Sequence, residues 1–275
     1  MLKMIFNAIL LLTCLVLVMG LCVLYFYRDP ERQVTSLDKG ILAPADGSVV
    51  SVRRYRAGVA PTLNKNGRCF RVDELAGTDV LGSDGTLISI HISPLDVHTI
   101  RSPADARIVY ISQIRGGLKF MRDADFEFTN ERVSMVLETA YGFIGLVVVG
   151  APIASSVKML KAMGSCVVAG EKIARIRLGS LATVIIPDKC MLSLMLSCGN
   201  RVMAGVTVLA KQSENLVIKE ECYTPRNSTV AERLYLIFLA AYAVLKQVWT
   251  RLWQFMNLSI GARIFAMYLP PKKRS

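Results

Sequence analysis

The longest hydrophobic stretch of the chain lies at its N-terminus. Residues 4–27 carry no charged side chain over 24 positions, and about 20 apolar residues suffice for a helix to cross a bilayer. Lys3 precedes this stretch, and a larger number of basic residues follow it, beginning with Arg28 and Arg32. This bias predicts a retained transmembrane anchor with the following domain on the cytoplasmic side. A cleaved signal peptide is the alternative, but the stretch is long for one and lacks a small-residue cleavage site.

Residues 41–212 contain short β-branched runs separated by Gly, Pro, Asp and Asn, a pattern typical of strands joined by turns. The runs are 48–52, 86–92, 108–111, 133–137, 145–149 and 182–186. Helical periodicity is best around 153–163 and in the C-terminal tail. We therefore expect three regions: an anchor over 1–28, a mainly β domain over 29–212 and a tail over 213–275.

Two pairs of segments within the β domain resemble each other. Residues 44–52 (PADGSVVSV) are similar to 103–111 (PADARIVYI), and 164–174 share the pattern G-x-x-V-x-A-G-x-x-[IV] with 199–209. This second pattern is similar to the hairpin of lipoyl and biotinyl carrier domains, in which a tight Ala-Gly turn joins two strands. It predicts a duplicated barrel-sandwich domain rather than a solenoid. Chance similarity of turn-rich strands is the alternative.

The tail differs in composition from the β domain. It carries nine basic and four acidic residues, and its uncharged run 234–245 has only 12 residues, which is short for a membrane span. Trp249 and Trp253 follow this run, interleaved with Lys246 and Arg251. We expect an amphipathic helix lying in the membrane interface. A re-entrant or second spanning helix is the alternative.

The overall composition favours a membrane partner over nucleic acid. The net charge is +12 and 53% of the residues are hydrophobic, a combination that suits an anionic membrane surface. The seven cysteines include no C-x-x-C pair, so no zinc ribbon or thioredoxin-like site is expected. We expect reduced thiols in a cytosol-facing domain.

The Gly179-Ser180 step is a candidate site of chemistry. In most chains such a step is only a turn. A strained Gly-Ser bond, however, allows the serine hydroxyl to attack the preceding carbonyl, and Gly at the first position reduces crowding. The resulting ester can lose its acyl group by β-elimination, and the dehydroalanine left behind hydrolyses to a pyruvoyl group. This reaction needs a base near the serine.

The chain has only two histidines, and His98 is the better candidate for that base. It lies in a predicted loop between Asp96 and Arg101, and imidazole exchanges protons near neutral pH. An ordinary hydrogen-bonded loop histidine is the alternative. Asp46 is expected to cap a turn, or to orient an imidazole as the acid of a Ser-His-Asp relay does.

Together these residues resemble the short-type phosphatidylserine decarboxylase proenzymes. The matching stretches, in family order, are 27–32 (YRDPER), 44–47 (PADG), 93–101 (SPLDVHTIR), 117–120 (GLKF), 130–132 (NER) and 170–180 (ending IRLGS). The resemblance covers about residues 25–212. Each motif alone is weak, but six in order are specific.

The resemblance implies cleavage between Gly179 and Ser180. Ser180 would become the pyruvoyl group at the start of residues 180–275, which would form a heterodimer with residues 1–179. The substrate amine would form a Schiff base with the pyruvoyl ketone, which serves as the electron sink when CO₂ leaves. Phosphatidylserine would become phosphatidylethanolamine at a bacterial inner membrane, with no metal or PLP.

The resemblance also assigns roles to individual residues. Asp46 is implied as the processing acid and His98 as the histidine near the pyruvoyl, while Arg101 and Arg177 are expected to bind substrate. Arg101 stands where the long type of the family has a second histidine. The family's Arg-x-Asp after Gly-Ser is Leu-Ala-Thr at 181–183. A non-catalytic carrier-like β-domain, supported by the Lys158-Met159 step, or an inactive relative is the main alternative; a secreted scaffold is a third.

Overall fold

The computed structural model describes residues 2–34, 40–62, 69–117, 119, 126–150, 157–176, 180–213, 222–223 and 237. Contacts divide the chain into two units, Met1–Val23 with Arg233–Ser275, and Leu24–Glu232. The predicted tail helix and the step from Arg177 to Gly179 lie outside the described residues. The domain limits expected from the sequence stay a prediction.

Helix α1 occupies the predicted N-terminal position, Leu2–Phe26. It exposes many large apolar side chains, for example Phe6, Leu11 and Leu24. Among the residues that the structure describes, no helix meets the length and apolarity needed to cross a membrane. The predicted transmembrane role of this segment is therefore not confirmed.

The unit that begins at Leu24 is built mainly from short antiparallel strands, which confirms the mainly β prediction. Two short helices, α2 (Val72–Ala76) and α3 (Phe126–Thr129), and a 3₁₀ turn at Asp188–Cys190 interrupt the strands. The strands are β1 Gly40–Leu42, β2 Gly47–Tyr55, β3 Val59–Pro61, β4 Cys69–Arg71, β5 Gly85–Ile92, β6 Thr99–Arg101, β7 Ala106–Ile114, β8 Arg132–Thr139, β9 Gly142–Val149, β10 Val157–Met159, β11 Cys166–Val167, β12 Lys172–Ile176, β13 Ser180–Pro187, β14 Leu192–Leu194, β15 Arg201–Val202, β16 Val208–Gln212 and β17 Cys222–Tyr223. Each of the six predicted β-branched runs falls within one of these strands.

Nine strands form one sheet, in the order β11-β7-β8-β9-β13-β5-β2-β15, with β17 also paired to β2. Strand β13 lies in the interior of this sheet. It pairs with β5 from Ser180 to Pro187 and with β9 from Leu181 to Ile185. Both faces of β13 are buried, because its alternate residues enter two separate hydrophobic clusters. This double burial explains why its sequence is a continuous apolar run.

The internal sequence repeat has a structural counterpart. Two three-stranded sheets, β1-β16-β14 and β6-β12-β10, have the same strand arrangement. The repeated segments exchange equivalent backbone hydrogen bonds: Leu42 N–H donates to the Pro103 carbonyl at 2.8 Å, and Arg101 N–H donates to the Pro44 carbonyl at 2.8 Å. Chance similarity of turn-rich strands does not account for this reciprocity. The barrel-sandwich and carrier-domain assignment stays a prediction.

The helix predicted around 153–163 is wrong for its described part. Residues 157–159 form β10, which pairs with β12, and residues 160–165 form bends and turns. Val157 is buried, Lys158 is exposed and Met159 is partly buried, which is the alternation of a strand with one covered face. Residues 151–156 lie outside the described residues.

The expectation that all cysteines are reduced is also wrong. Cys198 and Cys222 form a disulfide across 24 positions of sequence. The turn that precedes β15 and the short strand β17 both lie against β2, which brings the two Cα atoms within 5.9 Å, a normal bridging distance. The spacing of the cysteines along the chain does not reveal this proximity.

Candidate active site

The predicted cleavage position lies between two described chain segments that contact the same loop. Ser180, the first residue of β13, pairs with Ile92 at the end of β5. On the other side, the N–H of Ile176, at the end of β12, donates to the carbonyl of His98 at 2.9 Å. The loop that runs from Ile92 to His98 therefore holds both flanks of the predicted cleavage site. This places the sequence-predicted serine and histidine in one region.

His98 is a buried imidazole with an unusual lack of polar contacts. It is 3% exposed, and within the described part of the chain neither ring nitrogen has a hydrogen-bond partner. Burial disfavours the imidazolium and lowers the pKa of His98 from 6.5 to about 4, although Asp96 acts in the opposite direction. The ring is therefore neutral at pH 7 and can accept a proton, as a general base must.

The carboxylate of Asp46 is bonded to Arg32 and to the backbone of Ala204. Its carboxylate accepts hydrogen bonds from both terminal nitrogens of Arg32, at 2.5 and 2.6 Å, and from the N–H of Ala204 at 2.8 Å. Arg32 also donates to the Ala204 carbonyl at 2.8 Å. The two side chains are mostly buried, so this bidentate pair fixes both groups in one geometry. The structure thus shows Asp46 bonded to the distant Ala204-Gly205 turn and paired with Arg32, whereas the sequence predicted a cap of its own turn or an acid that orients the imidazole.

Arg101 is buried, and its guanidinium already contacts protein groups. Its terminal nitrogens donate to the Gly170 and Pro30 carbonyls, each at 2.9 Å, and it lies 3.7 Å from Asp29. Its Nε has no hydrogen-bond partner among the described residues. These contacts tie β6 to the Ala-Gly turn before β12 and to the chain that leaves α1.

Asp29 joins the same cluster of charges. It pairs with Arg175 at 2.7 Å and with Lys172 at 3.2 Å. Burial alone would raise the pKa of Asp29, but hydrogen bonding and attraction to Lys172, with the charge of Arg175, outweigh it and hold the pKa below the usual value of 3.8. The carboxylate is therefore ionised, and it neutralises the basic groups around Arg101.

Asp96 stabilises the loop that contains His98 through hydrogen bonds and an ion pair. The carboxylate of Asp96 accepts the N–H of Ser93 at 2.9 Å, and the N–H of Asp96 donates to the Ser93 carbonyl at 2.9 Å, so two hydrogen bonds close the turn from Ser93 to Asp96. On its other oxygen, Asp96 pairs with Arg201 at 2.6 Å. Asp96 is therefore occupied in shaping the loop, and its carboxylate makes no described hydrogen bond to the imidazole.

Sequence reasoning missed the contribution of the segment that follows α1. Phe26 stacks on His98, Arg28 and Asp29 contact the loop and the basic cluster, and Arg32 binds Asp46. From the sequence, Arg28, Asp29 and Arg32 belong to a family motif and to the flank of an anchor, and Phe26 belongs to the anchor itself; no contact of theirs with the site is predicted. The motif YRDPER did contain the signal, because an acid and a proline among the arginines are not needed for a flank of a membrane helix.

Comparison with known proteins identifies the class of this site. A family profile described as phosphatidylserine decarboxylase matches residues 19–210. A protein of Methanocaldococcus jannaschii, named provisionally as an archaetidylserine decarboxylase proenzyme, is 34% identical over 70% of this chain and 90% of its own length. The phosphatidylserine decarboxylase proenzymes of Zymomonas mobilis and Chlorobaculum parvum are 35% and 29% identical over 70% and 68% of this chain, and over 73% and 78% of their own lengths.

The family profile and these relatives indicate a carboxy-lyase of phospholipid synthesis. The chain belongs to the phosphatidylserine decarboxylase family, as the six ordered motifs predicted.

Proposed function

We propose that this protein is a self-cleaving, pyruvoyl-dependent enzyme that decarboxylates phosphatidylserine to phosphatidylethanolamine and CO₂. The observation that supports this most directly is the pairing of the two described segments on either side of Gly179. Ser180 pairs with Ile92 and the Ile176 N–H donates to the His98 carbonyl, so both segments contact the loop that ends at His98. Within the described part of the chain, the ring nitrogens of His98 have no hydrogen-bond partner. A proenzyme of this type needs a base at that point of the chain.

In the proposed processing step, His98 accepts the hydroxyl proton of Ser180 while the oxygen attacks the Gly179 carbonyl. The peptide bond is exchanged for an ester, and the freed amine takes up a proton. Loss of the Ser180 α-proton then expels residues 1–179 as a carboxylate and leaves dehydroalanine. Addition of water and loss of ammonia give the pyruvoyl group, so the step consumes one water and needs no oxidant.

The placement of Ser180 is compatible with a pyruvoyl group. A new N-terminus there would be held through its pairing with Ile92, while the buried ring of His98 excludes water from one side. A ketone at this position supplies the sink for the electrons released as CO₂ departs. His98, neutral at pH 7, is assigned to accept a proton from the substrate ammonium as the Schiff base forms and to return it to the substrate carbon after CO₂ has left.

The substrate headgroup is assigned to the basic residues of the site. Arg177 lies outside the described residues, and its role stays a prediction from the sequence. Arg101 is buried, and each of its terminal nitrogens donates to a carbonyl, of Gly170 or of Pro30. Its part in binding the headgroup therefore also stays a prediction from the sequence.

The two products of cleavage are proposed to remain together as a heterodimer. Residues 180–275 would begin at β13, which is hydrogen-bonded to β5 on one side and β9 on the other. Both neighbours belong to residues 1–179. The cleaved bond therefore does not release either piece from the sheet.

We propose that α1 and the basic tail associate with the inner membrane, with the catalytic domain on its cytoplasmic side. The apolar side chains that α1 exposes are suited to lipid, because a large exposed apolar surface is unfavourable in water. The substrate is itself a membrane lipid. Cross-linking of α1 to photoactivatable lipid analogues tests this assignment, and labelling of α1 only from the aqueous phase would contradict it.

Self-cleavage is tested by denaturing gel and intact mass. The wild-type chain should give two fragments, and the smaller should carry a pyruvoyl end in place of serine and resist Edman sequencing. Ser180→Ala should remain a single full-length chain. Ser112→Ala, a change on β7 at a distance along the chain from this step, should be cleaved like the wild type. An intact wild-type chain with an unmodified Ser180 would refute the proposal.

The substrate is tested by release of labelled CO₂ from purified, cleaved protein. Phosphatidylserine and an ether-linked archaetidylserine share the phosphoserine headgroup, so comparing them distinguishes headgroup from backbone recognition. A carrier-like domain would release none from either. That alternative has little structural support, because Lys158 lies in the middle of β10 rather than at a hairpin tip.

A further inference from the structure

The last residue of helix α1 forms one wall of the His98 site. The rings of Phe26 and His98 have centroids 4.1 Å apart and are inclined by 34°. Phe26 is 1% exposed, in contrast to the outward-facing residues that precede it on the helix. Phe26 therefore packs on the imidazole with one ring contact and on Tyr27 with another, at 5.1 Å between centroids.

The position of Phe26 is fixed by the residues that flank it. Arg28 donates to the Leu95 carbonyl at 2.7 Å and to the Tyr25 carbonyl at 2.8 Å. Its guanidinium also lies 3.8 Å from the centre of the Tyr25 ring. Leu95 belongs to the loop that ends at His98, so Arg28 ties the end of the helix to that loop. The hydrogen bonds of Arg28 therefore hold Phe26 in its stacked position on His98.

Three charged groups act on His98: Asp96 on its own loop, Arg28 after α1 and Asp46 before β2. The two carboxylates favour the imidazolium, and the arginine disfavours it. Both carboxylates are already engaged, Asp96 with Arg201 and Asp46 with Arg32. The desolvation of His98 is therefore opposed by a backbone contact with Asp96 and by two carboxylates that have other partners.

We propose that Phe26 is a positioning residue of the enzyme, which covers the His98 imidazole and keeps it free of water and unprotonated. The use of that neutral ring as a base rests on the proposed function. The covering itself is a property of the fold and can be measured without any catalysis. Helix α1 thereby contributes to the active site as well as to the proposed membrane attachment.

The protonation of His98 can be observed directly, because the chain has only two histidines. Full-length protein in detergent is labelled with ¹³C-histidine, and His91→Gln assigns the two imidazole signals. Between about pH 5 and 8 the wild-type His98 signal should not titrate. In Phe26→Ala, water reaches the ring, and the pKa of His98 should rise from about 4 towards 6.5.

Matched variants separate covering from general loosening. Phe26→Leu keeps an apolar cover and should leave His98 untitrated, and Phe26→Val should give an intermediate shift that is readable even if the alanine variant does not fold. Phe70→Ala removes another buried aromatic, one stacked on Phe128 with centroids 4.2 Å apart, and should not move the pKa of His98. An unshifted His98 in the Val and Ala variants, or an equal shift in Phe70→Ala, would overturn the proposal.

The pH dependence of the decarboxylation rate is a second measure of the protonation of His98. If the pKa of His98 reaches 6.5 in Phe26→Ala, about a quarter of the rings are neutral at pH 6 but nearly all at pH 8. The ratio of the decarboxylation rate at pH 6 to that at pH 8 should then fall about fourfold relative to wild type. A wild-type chain that neither cleaves nor decarboxylates would refute the proposed function while leaving the NMR result to decide the role of Phe26.

Discussion

The two Ala-Gly turns of the repeated fold offer an internal comparison. In each, the carboxylate of an aspartate accepts the N–H of the turn's alanine: Asp46 from Ala204 at 2.8 Å, and Asp105 from Ala169 at 2.7 Å. Asp46, however, is buried and paired with Arg32, whereas Asp105 is exposed and makes no ion pair among the described residues. The turn contact is thus part of the repeated scaffold.

The difference between the two turns is due to residues outside the repeated segments. Arg32 belongs to the segment that follows α1 and pairs with the aspartate at one turn, whereas Asp29 and Glu31 of the same segment pair with Lys172, just after the other turn. The same segment supplies Phe26 to His98. The two similar turns therefore differ in the charged group that the segment after α1 brings to the aspartate, and the pairing with Arg32 makes Asp46 part of the candidate site.

The largest expected difference is between Asp46→Asn and Asp105→Asn. Each asparagine can still accept the alanine N–H, but the first leaves Arg32 buried without a counter-charge, which costs about 3 kcal/mol of unfolding free energy. The second change, on an exposed residue, should cost less than about 0.5 kcal/mol. Denaturant unfolding measures both, and a gel shows whether cleavage is lost in the first alone. Equal effects of the two changes would show that the halves are not functionally distinct.

A double-mutant cycle sharpens the role of Arg32. Arg32→Leu alone leaves a buried carboxylate, but Arg32→Leu with Asp46→Asn leaves no charge, so the double variant should be more stable than the sum predicts by about 2 kcal/mol. The control cycle uses Arg201 and Asp96. Arg201 is 61% exposed there, so its coupling should be below about 1 kcal/mol. A coupling for Arg32 no larger than that of the control would contradict a buried, fixed pair.

Protonation of His98 should also lower the free energy of unfolding in acid. The pKa of His98 is about 4 in the folded chain against 6.5 for a free imidazole, so between these values the unfolded state binds more protons. The free energy of unfolding should be unaffected above pH 6.5 and should fall as the pH drops from 6.5 to 4, by at most about 3 kcal/mol.

Urea unfolding at several pH values measures this slope. His98→Leu removes the titrating group and should flatten the slope over that range. His91→Gln should preserve it. A slope that survives in His98→Leu would have to come from other groups and would contradict the assignment.

The smallest expected contrast is between Gly170→Ala and Gly205→Ala. Both glycines have positive φ, +77° and +73°, so each change costs about 1 kcal/mol in backbone strain. At Gly170 the added methyl meets a side-chain methyl of Val34, which can move, whereas at Gly205 it meets Arg101 Cδ and the Gly170 backbone. We therefore expect Gly205→Ala to slow cleavage more than Gly170→Ala at similar stability, and the reverse order would contradict this.

The positions of the strands could be predicted from the sequence, but the pairing between strands could not. Runs of β-branched residues such as 145–149 and 182–186 are signals that each segment carries by itself. Their positions beside each other in β9 and β13 depend on pairing between distant segments, which no local pattern encodes. The wrong helix around 153–163 arose in the same way. Ile153, Val157 and Leu160 fit a helical period, Val157 and Met159 fit a strand period, and the pairing with β12 decides between them.

The site shows the same division. Ser180 and His98 were predicted because their motifs are local, and the structure brings their backbones to one loop. Phe26 and Arg32 were interpreted as membrane flank, since their contacts with His98 and Asp46 join segments more than ten residues apart. The Cys198–Cys222 disulfide was missed for that reason also.

The interior position of β13 has a consequence for how the mature protein would behave on denaturation. An uncleaved chain, such as the Ser180→Ala variant, refolds by a first-order process at any concentration. After scission the same sheet would be rebuilt from two molecules, so recovery would become second-order and would fail on dilution. The lifetime of the mature enzyme would then depend on how slowly it unfolds, not on a reversible folding equilibrium. Its correct structure would be formed once, when the uncleaved chain first folds.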